Sequence, residues 1–167
     1  MKRINSFAIL FMIFTSSFIG AKMKDNTRIY TSHDLEIKLS AEYRKETVVL
    51  KMKITNLSYD TIKIPAFLFP SDKGTIFGDW FEITNNNGDS INYEGIQADI
   101  DYDEENVNCL VLNSRQKHII TFSHLTKYYN LMKGGTYTIS YIGPLGESNT
   151  VKLKIKKITT SSVFPSS

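Results

Sequence analysis

Period-two alternation governs this chain from residue 35 onward and restricts most of it to strands. Leu35, Ile37 and Leu39 alternate with Glu36, Lys38 and Ser40, and Val48, Leu50, Met52 and Ile54 with Val49, Lys51, Lys53 and Thr55. The pattern returns in Ile62 and Ile64, in Tyr137, Ile139 and Tyr141, and in Val151, Leu153 and Ile155, the last set interleaved with Lys152, Lys154 and Lys156. Successive side chains of a strand point to opposite faces, so each run describes a strand with one packed face and one wet face. Turn chemistry punctuates the runs: Asn56-Leu57-Ser58, Asn87-Gly88 inside the polar stretch 85–89, Asn113-Ser114-Arg115, and Gly143-Pro144-Leu145-Gly146. Pro65 ends its strand or places it at a sheet edge. Residues 125–132 read as a short helical or irregular corner, and no long helical period is present. Seven or eight short strands with regular turns predict an all-β, immunoglobulin-like antiparallel β-sandwich over residues 35–158. The lysines facing out of the last strand would discourage edge-to-edge association.

The first 21 residues read differently. Lys2 and Arg3 precede an apolar run from Phe7 to Ile19, and Gly20-Ala21 supplies the small residues of a cleavage site, so residues 1–21 are expected to be a signal peptide. The run is too short to span a bilayer, which takes about 20 apolar residues. No stable membrane span is therefore expected after cleavage, and the protein is expected to be secreted or periplasmic. Residues 22–34 are polar and mixed and read as a flexible lead-in, and residues 159–167 as a disordered Ser/Thr-rich tail. Cleavage after Ala21 removes two of the 20 lysines and arginines, leaving 18 against 17 acidic residues. A nearly neutral chain lacks the phosphate-neutralising charge of a general nucleic-acid binder, so no nucleic acid is expected as a partner. The single cysteine, Cys109, excludes an intramolecular disulfide, and its apolar setting Cys109-Leu110-Val111-Leu112 reads as a buried structural thiol.

The residue types of catalysis are scattered. His33, His118 and His124 lack the spacing of a zinc-binding helix, and there is no Gly-x-Ser-x-Gly turn, phosphate-cradling glycine loop or Cys-His pair. The expectation is a protein that is not an enzyme and carries no cofactor or metal. The acidic run Asp99-Ile100-Asp101-Tyr102-Asp103-Glu104-Glu105 has oxygen ligands at alternate positions, but a calcium loop wants Gly sixth and Glu twelfth, where this chain has Glu104 and Leu110. It reads as an exposed acidic loop. The stretch 66–79 is long for a sandwich connection and rich in aromatics, so Phe69, Phe77 and Trp80 are expected as exposed protein-binding anchors. Tyr128-Tyr129 forms a second candidate patch.

From Asn56 to Pro144 the chain resembles the non-catalytic β-sandwich domain that precedes the protease domain in deuterolysin-like and peptidyl-Lys zinc metalloendopeptidases. The resemblance is carried by Ile54-Thr55-Asn56-Leu57, by Phe69-Pro70 ahead of Gly74, and by Phe81-Glu82-Ile83 followed by Gly88 and Ile91-Asn92-Tyr93-Glu94-Gly95. It continues through Phe122 to Tyr129 and ends in Gly135-Thr136-Tyr137-Thr138-Ile139-Ser140-Tyr141. The chain stops where the protease domain would begin, so the resemblance implies an accessory domain acting alone, without the family's catalytic residues. It implies a protein-binding module, an inhibitor or folding partner of a metalloprotease. The alternatives are a structural or cell-envelope adhesion domain and a protease remnant without present function.

Overall fold

In the computed structural model, residues 27–71, 74–97, 108–131 and 134–156 are described. The expected signal peptide, acidic run 99–105 and tail 159–167 lie outside them. The described residues form nine strands and three short 3-10 turns, with no α-helix. The strands are β1 (Arg28–Ile29), β2 (Leu35–Arg44), β3 (Thr47–Asn56), β4 (Ile62–Pro65), β5 (Phe81–Asn85), β6 (Cys109–Leu112), β7 (Lys117–Phe122), β8 (Thr136–Tyr141) and β9 (Val151–Lys154). They make three sheets, ordered β1-β4-β6, β2-β3-β7 and β5-β8-β9.

The longest pairing is the β2–β3 hairpin, in register from Leu35 opposite Asn56 to Arg44 opposite Thr47. The alternation in both strands points Leu35, Ile37, Leu39, Val48, Leu50, Met52 and Ile54 into the core, each at most 9% exposed. β7 adds Ile120 and Phe122 to the same face, opposite Met52 and Leu50. The β5-β8-β9 sheet contributes Phe81, Ile83, Tyr137, Ile139, Tyr141 and Leu153, and β4 and β6 contribute Ile62, Ile64 and Leu112. Burying an aliphatic side chain of this size contributes about 1.5–3 kcal/mol, so the alternation is the main source of stability. The far edge of β2 is covered by residues 148–149: Ile37 bridges to Ser148, and the Asn149 carboxamide pairs with both backbone groups of Leu39.

Four features depart from the sequence reading. Residues 28–34 are held in place within the expected flexible lead-in. β1 pairs with β4 in parallel, and Arg28 bridges Asp34 at 2.7 Å and Asp60 at 3.0 Å. This short strand raises the count to nine and makes one pairing parallel where all were expected antiparallel. Thr55 and Asn56 break the alternation by both being buried, because the end of β3 is roofed by the loops that follow it. Cys109 is half-buried on β6 rather than inside, since Leu110 and Leu112 take the inward positions. In the stretch 85–89 only Gly88 has positive φ, at 85°, and it closes a turn onto the Asn85 carbonyl.

Candidate functional site

The expected anchors sit on a segment that covers the core. Trp80 is 9% exposed, and Phe69 and Phe77 are partly buried against the core. The chain must cross from β4 to β5 here, and its aromatics close the end of the core that the short strands leave open. Several bonds fix this crossing. Tyr128 donates to the Gly74 carbonyl at 3.1 Å, and Tyr141 donates to the Leu68 carbonyl at 3.2 Å. Gly74, at φ 80°, lies so close to His124 that a Cβ would fall 2.0 Å from its ring. Behind the crossing, Tyr129 is 1% exposed and donates to Asp79 Oδ1 at 2.8 Å. Burial, then that bond, pushes its phenol above the usual tyrosine range. Tyr128 stacks between Tyr93 and Phe122. The Tyr128-Tyr129 pair thus locks the corner ahead of β8. Burial removes the exposure on which the choice of Trp80, and in part of Phe69 and Phe77, rested.

Among the described residues the exposed aromatic lies at the other end of β4, three residues ahead of Ile62. Tyr59, in the β3–β4 loop, is 88% exposed, and the Arg115 guanidinium sits over its ring at 5.1 Å from the centroid. Arg115 belongs to the β6–β7 turn and has φ 61°, a left-handed conformation that costs a non-glycine residue about 1–2 kcal/mol. Leu57, 40% exposed, flanks them.

Asn56 holds this two-loop tip together from beneath. Its Nδ2 donates to the carbonyls of Asp60, Leu112 and Asn113 at 2.8–3.0 Å, and its Oδ1 accepts from the N–H and hydroxyl of Ser58. One buried carboxamide therefore ties both loops to the end of β3. Ser114 donates across to the Ser58 carbonyl, and Thr61 to Asn113 Oδ1. Asp60 receives Arg28, which also holds Asp34 far below the usual carboxylate range by donating to both its oxygens at 2.7 Å. Sequence reasoning marked only the Asn56-Leu57-Ser58 turn beside this tip and did not single out Tyr59. The Arg115 contact came from a separate loop and left no sequence signal.

Among the described residues no three His, Cys, Asp or Glu side chains cluster around a common point. His118 and Cys109 both line a cavity of about 260 Å³ between β6 and β7, together with Phe69, Ser71 and Leu110. A scan against protein-family models finds no match to the chain, and a comparison with curated proteins finds no relative.

Proposed function

We propose that the chain is an exported, non-catalytic protein-binding module on an immunoglobulin-like antiparallel sandwich, acting on a metalloprotease as inhibitor or folding partner. The strand orders β2-β3-β7 and β5-β8-β9 parallel the A-B-E and C-F-G sets of that fold. The resemblance of residues 56–144 to a protease accessory domain supports the choice of partner. The observation that carries the binding role is the tip: an almost fully exposed Tyr59 stacked under Arg115 on two loops tied to one buried Asn. Tyrosine and arginine are the residues that most often dominate protein contacts, and a rigid support limits the entropy lost on binding.

The test is pull-down from the native secreted fraction with the exported protein and with its Tyr59→Ala and Arg115→Ala variants. A metalloprotease recovered by the parent, slowed by stoichiometric amounts of it and lost with either variant is the expected result. Recovery of envelope components or glycans in its place would mark an adhesion domain, and recovery of nothing would mark a remnant.

A further inference from the structure

The two edges of the β2-β3-β7 sheet are treated differently. Beyond β2, Ile37 bridges to Ser148 and the Asn149 carboxamide occupies both backbone groups of Leu39. Beyond β7, no backbone hydrogen bond from the described residues reaches the strand. The polarity of β7 follows from its register. Asn56 N–H donates to the Gln116 carbonyl, which makes that pair hydrogen-bonded. In an antiparallel ladder bonded and non-bonded pairs alternate. His118, Ile120 and Phe122, opposite Ile54, Met52 and Leu50, therefore spend their backbone groups on β3. Lys117, Ile119 and Thr121 turn theirs outward, each offering one N–H and one C=O along the open edge.

The side chains of these three residues are also exposed, and Ile119, at 61%, is a large apolar residue on a solvent face. An edge left unpaired by the described residues is one that soluble proteins usually block. Lys53 lies directly opposite Ile119, Lys117 begins the strand, and Arg115 precedes it by two residues. None of the three forms an ion pair among the described residues, whereas Lys38 and Lys51 are bridged to Glu36 and Glu42. Glu36 is the carboxylate that faces Lys53 and Lys117, and it is already engaged by Lys38 at 2.7 Å.

We propose that β7 is a strand-addition site for an extended, acidic segment of a partner protein. The partner's backbone would pair with Lys117, Ile119 and Thr121, an apolar side chain would cover Ile119, and flanking carboxylates would meet Lys53 and Lys117. Main-chain bonds supply affinity in this mode and alternate side chains supply selectivity. The site is independent of the Tyr59 tip in its backbone chemistry.

The probe is a fluorescent eight-residue peptide of alternating glutamate and valine, titrated against the full chain by anisotropy. The same peptide N-methylated at alternate residues, and a lysine–valine peptide, serve as controls. Saturable binding of the acidic peptide alone is expected, with at least a tenfold loss in the Lys53→Glu/Lys117→Glu double variant and in Ile119→Pro. The proline removes an outward N–H and leaves the bonds to β3 in place. Should Ile119→Pro fail to fold, the N-methylated peptide and the charge reversal decide. Tyr59→Ala should leave peptide affinity within twofold, which separates this site from the tip. The proposal is overturned by absent saturation, by equal binding of the N-methylated peptide, or by indifference to the charge reversal. It is also overturned if the peptide binds only after Asp99, Asp101 and Asp103 are changed to Asn, since the chain's own acidic run would then be the occupant. Concentration-dependent dimerisation that the peptide does not compete would assign the edge to a second copy and likewise overturn it.

Discussion

The phenol oxygen of Tyr129 accepts a hydrogen bond from the backbone N–H of Phe81 at 3.1 Å, joining the corner ahead of β8 to the first residue of β5. Tyr129→Phe would leave a buried N–H unpaired, at a cost of about 1–3 kcal/mol. The same bond network predicts behaviour in alkali. The folded state holds the Tyr129 proton above the ordinary tyrosine range, so this contribution is complete below about pH 10 and is lost as pH rises beyond it. Melting curves from pH 7 to 11 should show a steeper alkaline loss for the parent than for Tyr129→Phe. Equal slopes would mean that the phenol is not what titrates.

Asn56→Ala should destabilise the fold by at least about 2 kcal/mol, because the carbonyls of Leu112 and Asn113 and the Ser58 N–H lose a shared partner. Denaturant titration gives the loss. Amide exchange in residues 57–61 and 113–116 should accelerate together, since one side chain joins both loops. Acceleration in only one loop would refute that coupling.

The β2–β3 turn carries a correctable strain. Lys45 and Glu46 both have positive φ, 47° and 64°, in a two-residue loop of the kind that favours Asn-Gly. The double substitution Lys45→Asn/Glu46→Gly should stabilise the protein by about 1 kcal/mol or more. A melting temperature that stays the same or falls would contradict this.

In acid, Asp34 sets the direction. Its hydrogen bonds from Arg28 hold its carboxyl below the usual range, so the unfolded chain takes up the proton first. The contribution of the pair is present above about pH 4 and is lost as pH falls through and below the ordinary carboxylate range. Asp34→Asn should lower stability at pH 7 and flatten the melting profile between about pH 4 and 2. An unchanged profile would show that other carboxylates govern acid unfolding.

The strands were largely legible because burial of one face leaves a period of two, and Leu50, Met52, Ile139 and Tyr141 stand where that period put them. β1 was not, because two residues are too few to show a period. Its pairing depends on Arg28 reaching Asp60, 32 positions away. The aromatics of residues 66–79 misled for a related reason. Composition marks Phe69, Phe77 and Trp80 as sticky, but whether a sticky residue faces inward depends on how far the neighbouring strands extend. Tyr59, which composition does not single out, is more exposed than Trp80.

The capped edge at Asn149 also bears on stoichiometry. A sheet open on both sides can add neighbours without end, as fibrils do, whereas the β2 edge of the β2-β3-β7 sheet is obstructed at Ile37 and Leu39 by residues 148–149, which leaves β7 the freer edge. A lone strand placed against β7 presents a new outer edge of its own, whereas two copies joined edge to edge through β7 would consume each other's open edges. Assembly of copies through β7 alone stops at a pair. Replacing Asn149 with a residue that cannot imitate a backbone would give the sheet a second growing end.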